Sequence, residues 1–285
     1  MTIKKMISTY SQKLNSFSPV LDIEILLAKT LNKNKEYLYT YPDKKLTDKQ
    51  LAKFEKLFKR RSKGEPIAYI LGYQEFFNLK FNVNQHVLIP RPETEILVEA
   101  VIKYISNLKS STSILDIGVG SGAVIISLAK NIKNAQLYGT DVSAKALNIA
   151  KQNAKTHQAK IKFYQGNLLE QIPPKLKSQY SNLIITANLP YLDKQEKNLL
   201  PFSSTTSLKF EPKIAWDGGT DGLNYFRKFF TQIDDLKLKP KAIFLEIGHQ
   251  QATAIKKLIP LSLAKYSLLI KKDLCGFERV LIIKQ

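Results

Sequence analysis

The sequence predicts an α/β protein, with a mostly parallel sheet between helices and a small all-helical domain in front of it. Three observations predict this. From Ser113 onward, short β-branched runs alternate with helical stretches, as in strands joined through crossover helices. A glycine-rich loop, Gly118-Val119-Gly120-Ser121-Gly122, follows the first of those strands. The first 72 residues carry helical spacing and helix caps.

Within residues 1–72, Ser18-Pro19 places a capping residue before a proline at the first helical position. Leu14, Leu21, Ile25 and Leu26 supply apolar faces. Thr47-Asp48-Lys49-Gln50 has the form of a capping box. It opens a helix with Leu51, Phe54, Leu57 and Phe58 at core spacing, and Gly64 ends that helix.

Residues 73–92 are expected to form a hairpin and linker. Phe77, Leu79, Phe81 and Val83 alternate with polar residues, and Asn84-Gln85 would turn the chain into Val87-Leu88-Ile89. The loop Pro90-Arg91-Pro92-Glu93-Thr94-Glu95 comes next. Its two prolines put Arg91 and Glu93 on a stiff mount before a helix with Ile96, Leu97, Val101, Ile102 and Ile105. The plainer reading is a helix entry with acids at the positive end of its dipole.

Residues 93–285 hold the α/β domain. Strands are predicted at 113–117, 136–141, 160–164, 182–187 and 241–246, with a closing hairpin at 268–270 and 280–283 around Cys275-Gly276. The 182–187 strand runs into Asn188-Leu189-Pro190-Tyr191. In an open α/β sheet, ligands bind beyond the carboxyl ends of the strands. Asn188 brings a side-chain acceptor, Pro190 a stiff backbone and Tyr191 a flat face. Such a pocket suits a planar group carrying an NH2. Alone, the same residues read more readily as a strand followed by a proline turn.

Composition narrows the class. Apolar residues make up 44% of the 285, enough for a real core. The single Cys275 excludes an internal disulfide and a cysteine-based zinc site. His86, His157 and His249 lack metal-ligand spacing, so no metal is expected. There is no secretory signal and no stretch that approaches a membrane span, so a cytoplasmic protein without membrane contact is expected. The formal charge is +20, and of the 44 basic residues only Arg60, Arg61, Arg91, Arg227 and Arg279 are arginine. The spread lysines suit either an acidic or nucleic-acid partner or simply a solvated surface.

Gly118-x-Gly120-x-Gly122 is not the G-x-G-x-x-G of a dinucleotide fingerprint. A nucleoside with an amino-acid tail could lie over these glycines, where the backbone allows close approach. Asp141, ending the second strand, can accept from both ribose hydroxyls, and Asn167, beside Leu168 after the next strand, could meet an adenine edge. Together with Asp116 these residues point to S-adenosyl-L-methionine, held by Gly118, Val119, Gly120, Ser121, Gly122, Asp141, Asn167, Leu168 and Asn188.

In these residues the chain resembles the class I (Rossmann-like) protein-(glutamine-N5) methyltransferases that act on peptide-chain release factors, the PrmC/HemK family. The likeness runs through residues 61–72, 87–95, 116–122, 188–191, 217–223 and 245–248. The Pro90–Glu95 loop is the most discriminating of these. Two positions depart from the family pattern. Leu189 replaces the first proline of Asn-Pro-Pro-Tyr but keeps its backbone carbonyl, and Asn167 stands where the family often has Asp.

The resemblance implies a substrate-recognising helical domain and a methyltransferase domain with a seven-stranded sheet and an antiparallel last hairpin. It also implies release factors as protein partners, methylated on the glutamine of a Gly-Gly-Gln motif. A monomer is expected, and nucleic acid is neither required nor excluded. Asn188, Pro190 and Tyr191 are the expected catalytic residues, with Leu189, Arg91 and Glu93 beside the substrate. Asn188 Oδ1 and the Leu189 carbonyl would accept the two amide N–H bonds, and Pro190 and Tyr191 would pack on the amide plane. No dedicated base is evident. Two alternatives stay open: an N-methyltransferase acting on a flipped base of ribosomal RNA or DNA, and a non-enzymatic nucleotide- or RNA-binding protein.

Overall fold

The structure, a computed structural model, describes residues 1–108, 112–172, 176, 180–193 and 207–285. The described chain divides into two compact units, one formed by residues 1–72 and 207–210, the other by residues 73–193 and 211–285.

The first unit is helical: α1 (Ile3–Ser11), α2 (Pro19–Leu31), α3 (Lys35–Thr40), α4 (Asp48–Ser62) and α5 (Ile67–Leu71). Its core is built on Ile3, Met6, Ile23, Leu26, Leu27, Leu38 and Phe54. The capping box is made in both directions, with Thr47 Oγ1 accepting from Gln50 N and Gln50 Oε1 accepting from Thr47 N. Pro19 is at the first helical position as predicted, but Ser18 makes no side-chain capping bond. Gly64, at φ +90°, lies just past the end of α4. Arg61 pairs with the buried Asp22 across 2.8 Å, joining α4 to α2.

The second unit opens with a hairpin, β1 (Tyr73–Phe76) and β2 (Leu79–Asn82). It lies upstream of the predicted one. The turn is Phe77-Asn78, both with positive φ, the backbone of a type I′ turn. Phe77 hides the turn from a sequence reading, because its ring packs on the core and continues the apolar alternation. Its N–H is held by Glu95 Oε1 at 2.8 Å. The buried Val87 and Ile89 therefore belong to a loop and not to a returning strand.

After α6 (Glu95–Ile105) come β3 (Thr112–Ile117), α7 (Ala123–Asn131), β4 (Ala135–Asp141), α8 (Ala144–Thr156) and β5 (Ile161–Gln165). Then come β6 (Leu183–Ala187), α9 (Asn224–Asp235), β7 (Ala242–Glu246), α10 (Ala252–Lys256), β8 (Ser267–Lys272) and β9 (Glu278–Lys284). One seven-stranded sheet has the order β5-β4-β3-β6-β7-β9-β8. Strands β3 to β7 are parallel to one another, whereas β9 is antiparallel to both β7 and β8.

The central strands are buried on both faces, so their sequences read as continuous apolar runs. Alternate residues serve two cores. Ile114, Ile184, Phe244 and Ile282 face the helices α6, α7 and α8. Leu115, Ile185, Ile243 and Leu281 face Phe226, Phe229 and Ile233 of α9 and Ile255 of α10. The strand order reverses between β3 and β6, which pair from Ser113↔Leu183 to Ile117↔Ala187. The loops after both strands thus open on one crevice, the ligand position of such sheets. Among the described residues, no helix is long and apolar enough to cross a membrane.

Candidate active site

The crevice is a cleft open to solvent. Its lining includes Gly118, Val119, Gly120 and Ser121 from the loop after β3, and Asn188, Leu189 and Pro190 from the loop after β6. Asp141, Asn167, Leu168 and Arg91 also line it. Gly122, Glu93 and Tyr191 do not.

The glycine loop is anchored to β4: the N–H groups of Gly118 and Val119 both donate to Thr140 O, at 2.8 and 3.0 Å. Gly118 has φ +71° and Gly120 φ +53°, and a Cβ on either would meet nothing closer than 3.8 Å. The absent side chains leave a bare backbone floor. Gly122 has a different task, since a Cβ there would come 2.8 Å from Ile126 Cδ1 and 3.4 Å from Ala150. It lets α7 and α8 approach and does not face the ligand.

Asp141 rims the floor. Its Oδ2 accepts from Gly120 N and its Oδ1 from Ser143 N, each at 2.9 Å. Burial pushes its carboxyl up, and these two N–H groups pull it back. Each oxygen keeps a further lone pair for a ligand hydroxyl. Below the loop, Asp116 is 2% exposed and accepts from Thr186 Oγ1 at 2.8 Å. Burial pushes its carboxyl up to about 7, with the Thr186 hydroxyl acting against that rise. Leu168 is held at φ +58°, a conformation that costs a side-chain-bearing residue about 1–2 kcal/mol. Thr140 Oγ1 donates to Leu168 O at 3.2 Å. Next to it, Asn167 Nδ2 donates to Glu170 Oε1, which leaves the Asn167 side-chain oxygen as its acceptor end.

On the opposite wall, Asn188 Nδ2 donates to Thr94 Oγ1 at 3.2 Å. That bond leaves the carbonyl end of the amide, Oδ1, to the cleft. Gly118 packs against Asn188 O, which a Cβ would approach to 3.8 Å. Tyr191 stands behind this wall, half-buried, with its hydroxyl donating to Glu246 Oε1 at 3.3 Å. Burial pushes the Tyr191 hydroxyl up, so it remains a donor. Its backbone is clamped from behind by Gln251, whose Nε2 donates to Tyr191 O at 2.9 Å. The chain at 216–224 packs on the same loop: Leu192 N donates to Trp216 O, and Gly218 N to Leu192 O. Arg91 pairs with the fully buried side chain of Glu211, which also accepts from Ile89 N. Glu93 is exposed; burial pushes the Glu246 carboxyl up, and the charge of Glu93 adds to that rise.

The structure thus adds Thr94, Glu246, Gln251, Gly218 and Glu211 to the residues read from sequence. All but Gln251 and Glu211 lie in the stretches that carry the family resemblance, but no local pattern says what they touch.

The sheet order and the glycine-floored cleft define a class I methyltransferase fold, and the donor set suits its cofactor, S-adenosyl-L-methionine. The bare floor fits a nucleoside with its tail, Asp141 a diol, and Asn167 a base edge. A family model described as the PrmC N-terminal domain matches residues 6–72, and one described as a methyltransferase domain matches residues 114–201. The release factor glutamine methyltransferase of Coxiella burnetii is 34% identical over 288 residues, covering 100% of this chain and 99% of the relative. The bifunctional methyltransferase of Rickettsia bellii is also 34% identical, over 90% of this chain, which spans only 50% of that longer protein. A crystal structure of the hMettl16 catalytic domain with a MAT2A 3'UTR hairpin superposes with TM-score 0.58 over 90% of each chain. At 14% identity that likeness bears on the fold alone. The chain belongs to the release factor glutamine methyltransferase family.

Proposed function

We propose that this protein transfers a methyl group from S-adenosyl-L-methionine to the side-chain amide nitrogen, N5, of the glutamine in the Gly-Gly-Gln motif of peptide-chain release factors, tuning translation termination. One observation carries the substrate reading. The Asn188 amide is tied at its nitrogen to Thr94 and presents its oxygen to the cleft, beside the glycine floor. An acceptor there suits a planar NH2 group.

The cofactor, when bound, supplies an electrophilic methyl group on a sulfonium centre. The chain supplies orientation. An amide nitrogen is a weak nucleophile because its lone pair is delocalised into its carbonyl. Asn188 Oδ1 and the Leu189 carbonyl would accept its two N–H bonds, hold the nitrogen toward the methyl and favour the positive charge that develops there; the methyl's bond to sulfur would break as its bond to nitrogen forms, and one of the two amide protons would pass to solvent. Leu189, itself 2% exposed and among the residues that line the cleft, keeps the backbone carbonyl that the acceptor role needs. Tyr191 supports the wall from behind through Glu246.

The test is the acceptor itself. Incubated with labelled cofactor, a release factor takes one methyl group on its Gly-Gly-Gln glutamine, and the same protein with that glutamine changed to alanine takes none. Mass spectrometry that finds equal methylation on the altered factor, or methyl groups only on RNA offered in competition, rejects the glutamine reading and favours the base-methylating one.

The same reading gives Asp141 the cofactor's ribose. Asp141→Ala should weaken cofactor binding by about 10–100-fold, the value of hydrogen bonds to a charged acceptor. The variant also leaves Gly120 N and Ser143 N without their acceptor, so Asp141→Asn, which keeps one, should lose less. Calorimetric titration at wild-type affinity in a folded Asp141→Ala protein would remove Asp141 from the site.

A further inference from the structure

The amino-acid tail of S-adenosyl-L-methionine ends in a carboxylate, an anion that has to be paired where it leaves water. The glycine floor does not offer the bare N–H groups with which a phosphate loop holds an anion. The N–H groups of Gly118 and Val119 are spent on Thr140 O, that of Gly122 on Val119 O and that of Gly120 on Asp141 Oδ2. A side chain must therefore supply the charge. The sequence holds 44 lysines and arginines, yet Arg91 is the only one among the described residues that line the cleft. His86 is the other basic side chain of that lining.

Arg91 stands at the end of the cleft where the tail belongs. Thr94 N donates to Arg91 O at 3.1 Å, which closes one turn between the two residues. Thr94 Oγ1 in turn accepts from Asn188 Nδ2 at 3.2 Å. The reacting methyl belongs at Asn188, on the wall opposite Asp141. The tail shares a sulfur with that methyl, so it belongs at this end too.

The guanidinium is held before any ligand arrives. Arg91 Nη2 donates to Glu211 Oε1, and Ile89 N donates to Glu211 Oε2 at 3.1 Å. The Glu211 side chain is fully buried, so its two oxygens tie one loop from within. Among the described residues the Arg91 guanidinium makes no other hydrogen bond, and the side chain is 39% exposed. Nε and Nη1 stay open. A fork so fixed can give a carboxylate two N–H bonds at once. Holding it beforehand lowers the entropy lost on binding. A purely structural ion pair would account for Glu211, but not for an arginine whose open side lines the ligand cleft.

We propose that Arg91 binds the α-carboxylate of S-adenosyl-L-methionine, and that Glu211 is the positioning residue that aims its guanidinium. Arg91 then serves the cofactor and not, as the family resemblance implies, the release factor. The cleft thereby tells the cofactor from its decarboxylated form. This assignment rests on the cofactor and does not depend on which group receives the methyl.

Calorimetric titration of the full chain with S-adenosyl-L-methionine and with its decarboxylated form tests the assignment, since the two ligands differ only in the carboxylate. Wild type should bind the decarboxylated form about 10–100-fold more weakly, the value of hydrogen bonds to a charged group. Arg91→Met should lose about that factor for S-adenosyl-L-methionine and nothing for the decarboxylated form. Arg91→Lys keeps the charge without the fork and should fall between. Glu211→Gln keeps one acceptor for the loop and should show a smaller loss, again only for the ligand with the carboxylate. If Arg91→Met, left with an unpaired buried acid, does not fold, the double variant Arg91→Met/Glu211→Gln takes its place. Equal affinity of wild type for the two ligands, an equal loss of both in the Arg91 variants, or a selective loss in His86→Ala instead overturns the assignment. So does an Arg91→Met protein with both affinities intact and a raised KM for release factor, which returns Arg91 to the substrate. A Gly-Gly-Gln glutamine that stays unmodified leaves these titrations untouched, so the two readings fail separately.

Discussion

Asn188→Ala should reduce turnover by about 100–1000-fold, the scale seen when one preorganised hydrogen-bonding group is removed from a site of charge development. The alanine leaves one N–H of the substrate amide unpaired in the cleft and frees the nitrogen to rotate away from the methyl. The interaction strengthens as the nitrogen becomes cationic, so the loss should fall on kcat more than on KM. Cofactor affinity should change less. Asn188→Asp keeps an oxygen toward the cleft, but its second oxygen replaces the Nδ2 that donates to Thr94 Oγ1. Thr94 must then turn its hydrogen to the new carboxylate. Asn188→Asp should therefore fall between wild type and alanine. Single-turnover kinetics separate chemistry from binding, and an alanine variant with wild-type single-turnover rates would place the acceptor elsewhere.

Gly222→Ala should be nearly as damaging, although residue 222 does not line the cleft. Gly222 has φ +72°, and a Cβ there would stand 2.3 Å from Tyr191 O and 2.4 Å from Gln251 Nε2. One neighbour is backbone and cannot swing away. The other is the amide that clamps Tyr191 at 2.9 Å. The added methyl must push the Asn188–Tyr191 loop, and a displacement of about 1 Å in positioning groups is worth roughly 100-fold in rate. Gly276→Ala is the control. It carries the same backbone strain at φ +85° but meets nothing within 4 Å. It should lower the melting temperature and leave turnover intact. If Gly222→Ala and Gly276→Ala lose equal stability and neither loses turnover, the packing of 216–224 on the loop does not govern the site.

The sheet was legible because its signals are local. Runs such as Leu183-Ile184-Ile185 have strand length, and the helices between them have their own caps, Ser143 Oγ accepting from Ala146 N among them. The glycine floor, Asp141 and the Asn188 loop were legible for a related reason: each follows a strand end, and strand ends in such a sheet converge. The hairpin at β1 and β2 was misplaced because Phe77 takes a turn conformation while its ring still packs as a core residue. Ser18 is the residue type of a helix cap, yet α2 starts beside it without using its side chain. Thr94 and Glu246 were beyond reach for a different reason. Thr94 meets a residue 94 positions away, and Glu246 one 55 positions away. Nothing near them in sequence says which hydroxyl or amide they meet.

The place of β9 in the sheet bears on how the molecule is made. It inserts between β7 and β8, pairing Glu246 with Val280 and Leu245 with Leu281. Ile247 N donates to Arg279 O at 2.8 Å just beyond Glu246. During synthesis, therefore, every residue of the glycine loop and of the Asn188 wall leaves the ribosome before the strand that completes the sheet beside them. Until Glu278–Lys284 has emerged, β7 presents an open apolar edge and Glu246 lacks the cation of Arg279. Such an edge invites pairing with other chains. Completion of the sheet thus waits on β9, which follows every residue of the cleft in the chain.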